Sequence, residues 1–278
     1  MEKIVVGVDG SAASSSALAW VVDRCGTRTA EVEVVHVGPV AGRTASPNDP
    51  LADAERAMRA AAPDQAATFR RVSGAVAETL AEASAGADLL VIGVDPEHPV
   101  RAALGGWLPV RIIAHARSPL CIVPSGWERR QGSVTVGLED DLSSSEALTF
   151  AAQEAERSSG RLRIVHAWHL PEPSRDGSAA LLVLPQRILE EHRELLEASV
   201  RSVTRRFPRV HIEADLVRAE PAAALLHHAP GAAMLVIGTH RGGPLTGAYV
   251  GSVGRGLLWR ARCPLVVVPS ASFPAKGA

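Results

Sequence analysis

The chain has few cysteines, few aromatic residues and almost no excess of either charge. Its three cysteines, Cys25, Cys121 and Cys263, are far apart and form no C-x-x-C pair, which argues against a disulfide framework and against a cysteine zinc site. Aromatic residues make up only 4% of the chain, which disfavours an aromatic-rich all-β fold. A net charge of −1 argues against binding to nucleic acid or to an anionic membrane by bulk electrostatics.

Long apolar runs are also missing. No stretch approaches the roughly 18 apolar residues that indicate a membrane-spanning helix. The amino-terminal stretch MEKIVVG lacks the basic segment and the longer apolar segment of a secretory signal. We therefore expect a soluble cytoplasmic protein that has neither a membrane nor a nucleic acid as its partner.

What the chain does have is length and aliphatic residues. At roughly 100–200 residues per domain, its 278 residues predict about two domains. Hydrophobic residues make up 46% and charged residues 21%, an ordinary composition for a folded chain. The abundance of Ala and Val favours helices packed on a Val-rich sheet.

Three blocks of sequence recur in the same order, which is hard to attribute to chance similarity between Val-rich strands. The most similar pair is ADLLVIG and AAMLVIG, in which five of seven positions are identical. The chain is therefore interpreted as one domain that has been duplicated. The paired blocks are residues 5–18 and 135–148, residues 87–93 and 232–238, and residues 106–124 and 251–269.

The duplication predicts the domain organisation. The first copy comprises residues 1–124 and the second copy comprises residues 133–269. Between them, residues 125–132 (SGWERRQG) form a polar linker that directly follows an apolar strand. Residues 270–278 are rich in Pro, Gly and Ala and are expected to form a loose tail.

Each copy alternates short apolar strands with helical patterns, and this predicts an α/β fold. Near-continuous apolar strands such as LLVIG and PLVVVP are typical of a parallel sheet that is covered on both faces. Right-handed crossovers then produce a doubly wound, Rossmann-like sheet. The prediction is two tandem parallel sheets of five strands each, with helices on both faces.

In a doubly wound sheet, ligands bind beyond the carboxyl ends of the strands, where the strand order reverses. In the second copy, five glycines lie between Gly238 and Gly251, and a helix follows near Ser252. Glycine allows backbone N–H groups to approach an anion, and helix N-termini supply further donors. The pattern predicts a phosphate-binding loop, although the glycines alone leave a merely flexible loop open.

At this point the motifs resemble those of the universal stress protein family. The resemblance rests on VGVDGS near the start, on LLVIG and MLVIG, and on GSVGRGLLWRARCPLVVVP near the end, and it covers residues 3–124 and 133–269. It implies strand order 3-2-1-4-5, as in the adenine nucleotide alpha hydrolase-like folds, and a role in the stress response. It also implies pseudo-two-fold pairing of the copies through their last strands. Whether the whole chain forms a homodimer is left open.

The resemblance further implies adenine-nucleotide binding, often with a divalent metal. In the family, an Asp at the end of the first strand and the residue after a strand-end histidine hold adenine and ribose. The pattern G-x2-G-x9-G-[ST] holds the phosphates. In the second copy the matching positions are Glu139, Ala167, Gly238, Thr239, Arg241, Gly242, Gly251 and Ser252. In the first copy they are Asp9, Val37, Gly93 and Gly106.

The first copy departs strongly from the family pattern. Pro96 stands at the second glycine position, and Trp107 replaces the Ser or Thr that would supply a hydroxyl. Asp95 and Glu97 place negative charge beside the expected phosphate position, which is repulsive. Binding of a triphosphate is therefore not expected in the first copy.

The second copy departs less. Arg241 occupies the second glycine position, with Gly242 next to it. If that position needs a positive φ, arginine costs on the order of 1 kcal/mol, although its guanidinium could pair with phosphate. Glu139 replaces the family's Asp, and Asp140 and Asp141 add acidity. Nucleotide binding is therefore expected in the second copy rather than in the first.

Other polar residues are interpreted as structural. His36 and His166 each end a strand and are expected to be packed and hydrogen-bonded. The adjacent His227 and His228 point apart on a helix and do not suit one metal ion. The charged run at residues 190–194 is read as a solvated helix face.

No nucleophile, base and orienting acid are predicted to meet at one sheet edge. The serines at residues 14–16 and 143–145 have no GxSxG context and are assigned to helix capping. We therefore expect no enzyme, and at most slow incidental hydrolysis of ATP.

Three hypotheses follow. The first is a regulatory stress protein that binds ATP, with or without Mg²⁺. The second is a nucleotide-free scaffold of the same fold that acts through an unknown protein partner, in which case no cofactor is present. The third and weakest is an adenylating or electron-transfer enzyme, which only the shared fold supports.

Overall fold

A computed structural model describes residues 1–26, 29–39, 49–96, 108–139, 142–158, 160–169, 185–241, 248–249 and 251–270. The predicted tail lies outside this part of the chain, apart from Ser270. Within it, strands and helices alternate in both copies, as the sequence predicts.

The first copy contributes five strands and four helices within the described ranges. The first helix begins at Ala12, two residues before Ser14, the first of the serines that the sequence assigns to helix capping. In chain order the elements are β1 (Glu2–Gly7), α1 (Ala12–Cys25), β2 (Ala30–Val37), α2 (Pro50–Ala61), β3 (Ala67–Val72), α3 (Val76–Ala83), β4 (Leu89–Val94), α4 (Leu108–His115) and β5 (Leu120–Pro124).

The second copy repeats this order and adds a short hairpin before its last helix. The elements are β6 (Ser133–Leu138), α5 (Leu142–Ser158), β7 (Arg161–Trp168), α6 (Pro185–Arg206), β8 (His211–Arg218), α7 (Pro221–His228), a 3₁₀ turn (Ala229–Gly231), β9 (Ala232–Gly238), β10 (His240–Arg241), β11 (Ala248–Tyr249), α8 (Ser252–Leu258) and β12 (Leu265–Val268).

The two sets of five strands form one continuous sheet. Its order is β3-β2-β1-β4-β5-β12-β9-β6-β7-β8, so that each half has the predicted order 3-2-1-4-5. The pairs within each half are parallel, whereas β5 and β12 pair antiparallel at the centre. The two predicted five-stranded sheets thus join through their last strands into one ten-stranded sheet, which covers two apolar edges that would otherwise be unpaired.

Helices cover both faces of the sheet, which explains the near-continuous apolar strands. Residues of α1, α2, α5 and α6 pack on one face, and their core runs through both copies. Residues of α3, α4, α7 and α8 pack on the other face. Cys121 in β5 and Cys263 just before β12 are buried core residues, and burial raises the pKa of Cys263 to about 11.

Helix α1 shows how the serine-rich turns work. Ser11 precedes the helix in an extended conformation, and its hydroxyl accepts a hydrogen bond from the Ser14 backbone N–H at 3.1 Å. The Ser14 hydroxyl donates back to the Ser11 carbonyl at 3.0 Å. The first of these bonds satisfies an N–H that the helix cannot pair internally. The cap is therefore Ser11, whereas the serines at 14–16, which the sequence assigned to capping, lie inside the helix and donate their hydroxyls to carbonyls about one turn earlier.

Candidate functional site

The carboxyl ends of β6, β7 and β9 surround a cavity of about 240 Å³. It lies where the strand order of the second copy reverses, between β6 and β9, which is where a doubly wound sheet binds ligands. Gly251 and Gly254 of the α8 region close another side. The lining residues are Gly137, Leu138, Glu139, Ser144, Val165, His166, Ala167, Trp168, His169, His192, Pro221, Leu225, Ile237, Gly238, Thr239, Gly251, Val253, Gly254 and Val267.

Glu139 stands at the rim of this cavity, directly after β6. Its backbone N–H donates to the hydroxyl of Ser144 at 2.8 Å, and Ser144 is buried in the first turns of α5. This bond ties the end of the strand to the helix that follows. The Glu139 side chain itself is exposed, so its carboxylate is hydrated and can meet a ligand without a large desolvation cost.

His166 ends the part of β7 that pairs with β6, and it forms one wall of the cavity. Its Nδ1 lies 2.9 Å from the Leu138 carbonyl oxygen. Because a carbonyl only accepts, Nδ1 carries the proton, and Nε2 of the neutral ring is an acceptor. His36 makes the equivalent bond in the first copy, 2.8 Å from the Val8 carbonyl. The interpretation of both residues as hydrogen-bonded strand-end histidines is confirmed.

His192 on α6 was not predicted to take part. The sequence reading of residues 190–194 as a solvated face is wrong for this residue, because its Nδ1 lies 2.8 Å from Nε2 of His166. Its ring also lies 5.6 Å from the Trp168 ring, centroid to centroid. The signal was its helical spacing with Leu189 and Leu196, which places it on the face that packs against the sheet. The other residues of the charged run, 190, 191, 193 and 194, are exposed.

Thr239 has a buried hydroxyl whose environment the sequence does not predict. The residue is only 2% exposed and lines the cavity, yet its hydroxyl has no hydrogen-bond partner among the described residues. Its backbone N–H donates to the Val268 carbonyl at 3.0 Å, so the residue is held in place. An unsatisfied buried hydroxyl costs about 1–3 kcal/mol, so such a group in a native structure calls for an explanation, such as a bound water, ion or ligand.

The remaining predicted residues of the second copy are only partly brought together. Gly238, Ala167 and Gly251 line the cavity. Ser252 is exposed at the start of α8 and is not among the lining residues, although the helix does begin there as predicted. Gly242 lies outside the described residues, as do Asp140 and Asp141.

The backbone of the predicted loop is more regular than the glycines suggest. His240 and Arg241 pair antiparallel with Tyr249 and Ala248, which makes a two-residue ladder on either side of residues 242–247. Arg241 therefore lies in extended backbone next to β9. A sequence rich in glycine gives no sign of such pairing, because it depends on contacts between residues that lie seven or more positions apart.

In the first copy, the equivalent strand ends carry Asp9, Val37 and Gly93, whereas Gly106 lies outside the described residues, as do Glu97 and Trp107. The Asp9 carboxylate accepts the Ser11 backbone N–H at 3.0 Å. Burial alone would raise the pKa of Asp9, but hydrogen bonds from Ser11 and Ser14 outweigh it and hold the pKa below its usual value.

Gly93 has a packing role that its place in a loop motif does not reveal. A Cβ added there would lie 1.9 Å from the Ala13 carbonyl oxygen and 2.6 Å from the Ser14 backbone nitrogen. The end of β4 therefore lies directly against the first turn of α1. Glycine is required at this position because of that close approach of two backbones.

The described residues contain no group of three or more His, Cys, Asp and Glu side chains that could hold a metal ion. His227 is exposed, and its ring meets the His228 ring edge-on at 5.3 Å between centroids. His228 instead contacts Asp215 at 3.5 Å. Burial lowers the pKa of His228, and the nearby Asp215 only partly opposes this.

The described geometry defines a class of protein: a Rossmann-like α/β chain with a cavity at a topological switch point. The chain belongs to the universal stress protein family, whose family model matches residues 1–124 and 132–269. Universal stress protein Rv1996 of Mycobacterium tuberculosis is 27% identical over 307 residues, covering 98% of this chain and 96% of that protein. Universal stress protein Rv2005c of the same organism is 27% identical over 290 residues, covering 95% and 96%.

Solved structures agree on the fold. A protein of Pseudomonas aeruginosa described as functionally unknown, PA1789, superimposes with a TM-score of 0.67 at 17% identity, covering 97% of this chain and 93% of that one. A universal stress protein from Archaeoglobus fulgidus gives a TM-score of 0.66 at 14% identity, covering 97% and 98%. Within the described ranges, no helix combines the length and apolar character needed to cross a bilayer.

Proposed function

We propose that this universal stress protein binds an adenine nucleotide, ATP in the first instance, in the cavity of the second copy. The observation that carries the proposal is Thr239, a residue that lines that cavity and whose buried hydroxyl has no hydrogen-bond partner within the described part of the chain. A ligand with phosphate or hydroxyl oxygens would satisfy it. The family resemblance supplies the chemical class, and the position at the switch point agrees with it.

The cavity is lined by the types of residue that can bind a nucleotide. Aliphatic walls from Val165, Ala167 and Val267 offer apolar contact of the sort that a planar base needs. Glu139 at the rim offers a carboxylate for ribose hydroxyls. Gly238 and Gly251 leave the backbone accessible where phosphate would lie. Any Mg²⁺ would arrive with the phosphates, because the described residues supply no carboxylate cluster for it.

The role that fits this site is regulation rather than catalysis. His166 is engaged on both ring nitrogens, by Leu138 and by His192, and so is not placed as a general base. A ligand in contact with Thr239 and His192 would join β9 to α6. The outer face of α6 is charged and exposed, so binding would be transmitted to a surface where a protein partner could dock.

The first copy is proposed to be nucleotide-free. Asp95 follows β4 directly and is exposed at the sheet edge where the phosphate loop of this copy would lie. Its negative charge opposes a triphosphate. This observation favours the scaffold hypothesis for the first copy alone, with an unknown protein as its partner.

The proposal is tested by equilibrium binding of labelled ATP, with and without Mg²⁺, to three full-length chains. Ala167→Phe fills the cavity of the second copy, and Val37→Phe makes the equivalent change in the first. We expect wild type and V37F to bind alike and A167F to lose at least about tenfold in affinity, which corresponds to 1.4 kcal/mol. No binding by wild type, or loss in V37F alone, would contradict the proposal.

A further inference from the structure

The pairing of β5 with β12 places a pseudo-two-fold axis between the copies. Cys121 pairs with Val266, and these residues occupy the same position of the sequence repeat. On either side, Leu120 pairs with Val267 and Ile122 with Leu265. Such reciprocal pairing is the signature of an isologous interface, in which the same patch of each copy contacts the other.

A second pair of equivalent positions meets close to this axis. Arg24 lies on α1 and Glu154 on α5, 130 residues later, the offset that relates these two helices in the repeat. The guanidinium donates to both carboxylate oxygens, each at 2.7 Å. The two side chains are only 5% and 2% exposed. Both also lie near enough to the Cys121 thiol to act on its pKa.

The two copies thus carry opposite charges at equivalent positions of the repeat, Arg24 in the first and Glu154 in the second. In a hypothetical pairing of two first copies, Arg24 would face a second Arg24. In a pairing of two second copies, Glu154 would face a second Glu154. A buried bidentate ion pair would be replaced by two like charges in contact, which is strongly unfavourable in a region from which water is excluded.

We propose that the Arg24–Glu154 pair makes the central interface selective, so that a first copy accepts only a second copy and rejects its own kind. The apolar strands β5 and β12 supply attraction but little discrimination, because both read as runs of aliphatic residues. The charge pair supplies the repulsive element that specificity needs. The partner that this surface fits is the second copy of the same chain.

Two further charged groups lie beside the pair and do not remove this selectivity. Glu2 of the first copy accepts from Arg24 at 2.7 Å, and Arg157 of the second copy lies 3.5 Å from Glu154. Glu2 and Arg157 also lie 3.9 Å apart across the interface, a contact between unlike charges that a like-with-like pairing would lose. Arg24 also lies over the Trp20 ring, 5.2 Å from its centroid. In a like-with-like pairing, Arg24 would nonetheless face a second Arg24, or Glu154 a second Glu154, at the axis.

The test uses charge reversals in the full chain. Arg24→Glu gives a chain with an acid on both sides of the axis, and Glu154→Arg gives one with a base on both sides. When the first copy of each variant pairs with the second copy of the other variant, opposite charges meet again at the axis. The introduced glutamate of one chain can meet the introduced arginine of the other, while the unchanged Glu154 of the first meets the unchanged Arg24 of the second. The two variants are produced in the same cells with different affinity tags and purified through both tags in succession.

We expect the reversed pair to co-purify in equal amounts, well above the yield from two differently tagged wild-type chains. The matched control is Arg70→Glu produced with Glu33→Arg, which reverses an ion pair inside the first copy. This control should give no more double-tagged complex than wild type. Equal yields from the control and the reversed pair would overturn the proposal.

A second variant covers the case in which the single reversals do not fold alone. The double variant R24E/E154R restores opposite charges within one chain. We expect its denaturation midpoint to recover most of what either single reversal loses, and no double-tagged complex to form. A double variant no more stable than the singles would show that the charges do not act through each other and would overturn the proposal.

Discussion

The imidazole of His166 lies between two partners, the Leu138 carbonyl at 2.9 Å and the His192 ring nitrogen at 2.8 Å. These bonds link β6, β7 and α6 along one wall of the cavity in the second copy. In the neutral state the proton on Nδ1 of His166 points to the carbonyl, so His192 is the donor to Nε2. This wall is therefore fixed in orientation before any ligand binds.

Replacing His192 with Leu tests this wall. The substitution removes the donor to His166 and leaves a buried nitrogen without that bond, so we expect a loss of about 1–2 kcal/mol in the free energy of unfolding. The matched control is His115→Leu, because exposed His115 bonds only to a carbonyl of its own helix among the contacts described. That change should stay within about 0.5 kcal/mol. Urea denaturation measures both, and equal effects would contradict the assignment.

Replacing Thr239 with Val separates binding from stability. Removing an unpartnered buried hydroxyl should raise the stability of the ligand-free chain by about 1 kcal/mol, whereas losing a bond to a charged ligand should lower ATP affinity about tenfold or more. In the control, Thr135→Val, a buried hydroxyl 3.3 Å from that of Ser133 is lost. Stability should fall there and affinity should not change. A T239V chain that loses stability and binds ATP normally would argue against a ligand at Thr239.

Replacing Gly93 with Ala tests the contact between β4 and α1. The new methyl group would overlap the backbone of Ala13 and Ser14, so α1 must shift, at a cost of about 1–3 kcal/mol or more. The control is Gly231→Ala, where a Cβ meets nothing within 4 Å and the stability should change by less than about 0.5 kcal/mol. Thermal and urea denaturation give the difference. An unaffected G93A chain would mean that the two backbones are not in contact.

The lowered pKa of Asp9 predicts that part of the stability of the fold depends on pH. A carboxyl whose pKa is lower in the folded state stabilises the fold above its unfolded pKa of about 3.9, and that stability is lost as the pH falls through the folded pKa. Asp9→Asn removes this contribution. We expect D9N to be less stable than wild type near neutral pH and the gap to close below the folded pKa. A gap that is independent of pH, measured by urea denaturation across this range, would refute the hydrogen-bonded carboxylate.

Much of the fold is predictable from the sequence because it depends on local patterns and on the repeat. The apolar strands and the duplication follow from such signals. The strand order of each half and the central pairing of β5 with β12 were implied by the family resemblance instead. That pairing joins the two predicted sheets into one.

The site was harder to predict, because its decisive features are relationships between distant residues. His192 lies in a run of charged residues, and its helical spacing with Leu189 and Leu196 indicates the inner face but not its contact with His166. Thr239 looks ordinary until it is known to be buried and to have no hydroxyl partner among the described residues. The requirement for glycine at position 93 arises from a backbone contact with α1 that lies about 80 residues earlier and leaves no local signal.

The central claim, that the second copy alone holds an adenine nucleotide, is tested most directly by a crystal structure of the full chain grown with ATP and Mg²⁺. We predict electron density for the nucleotide in the cavity between Glu139, Thr239 and Gly251. A ligand oxygen should lie within hydrogen-bonding distance of the Thr239 hydroxyl. Density at the strand ends beside Asp9 and Gly93 instead, or none in either copy at saturating ATP, would contradict it.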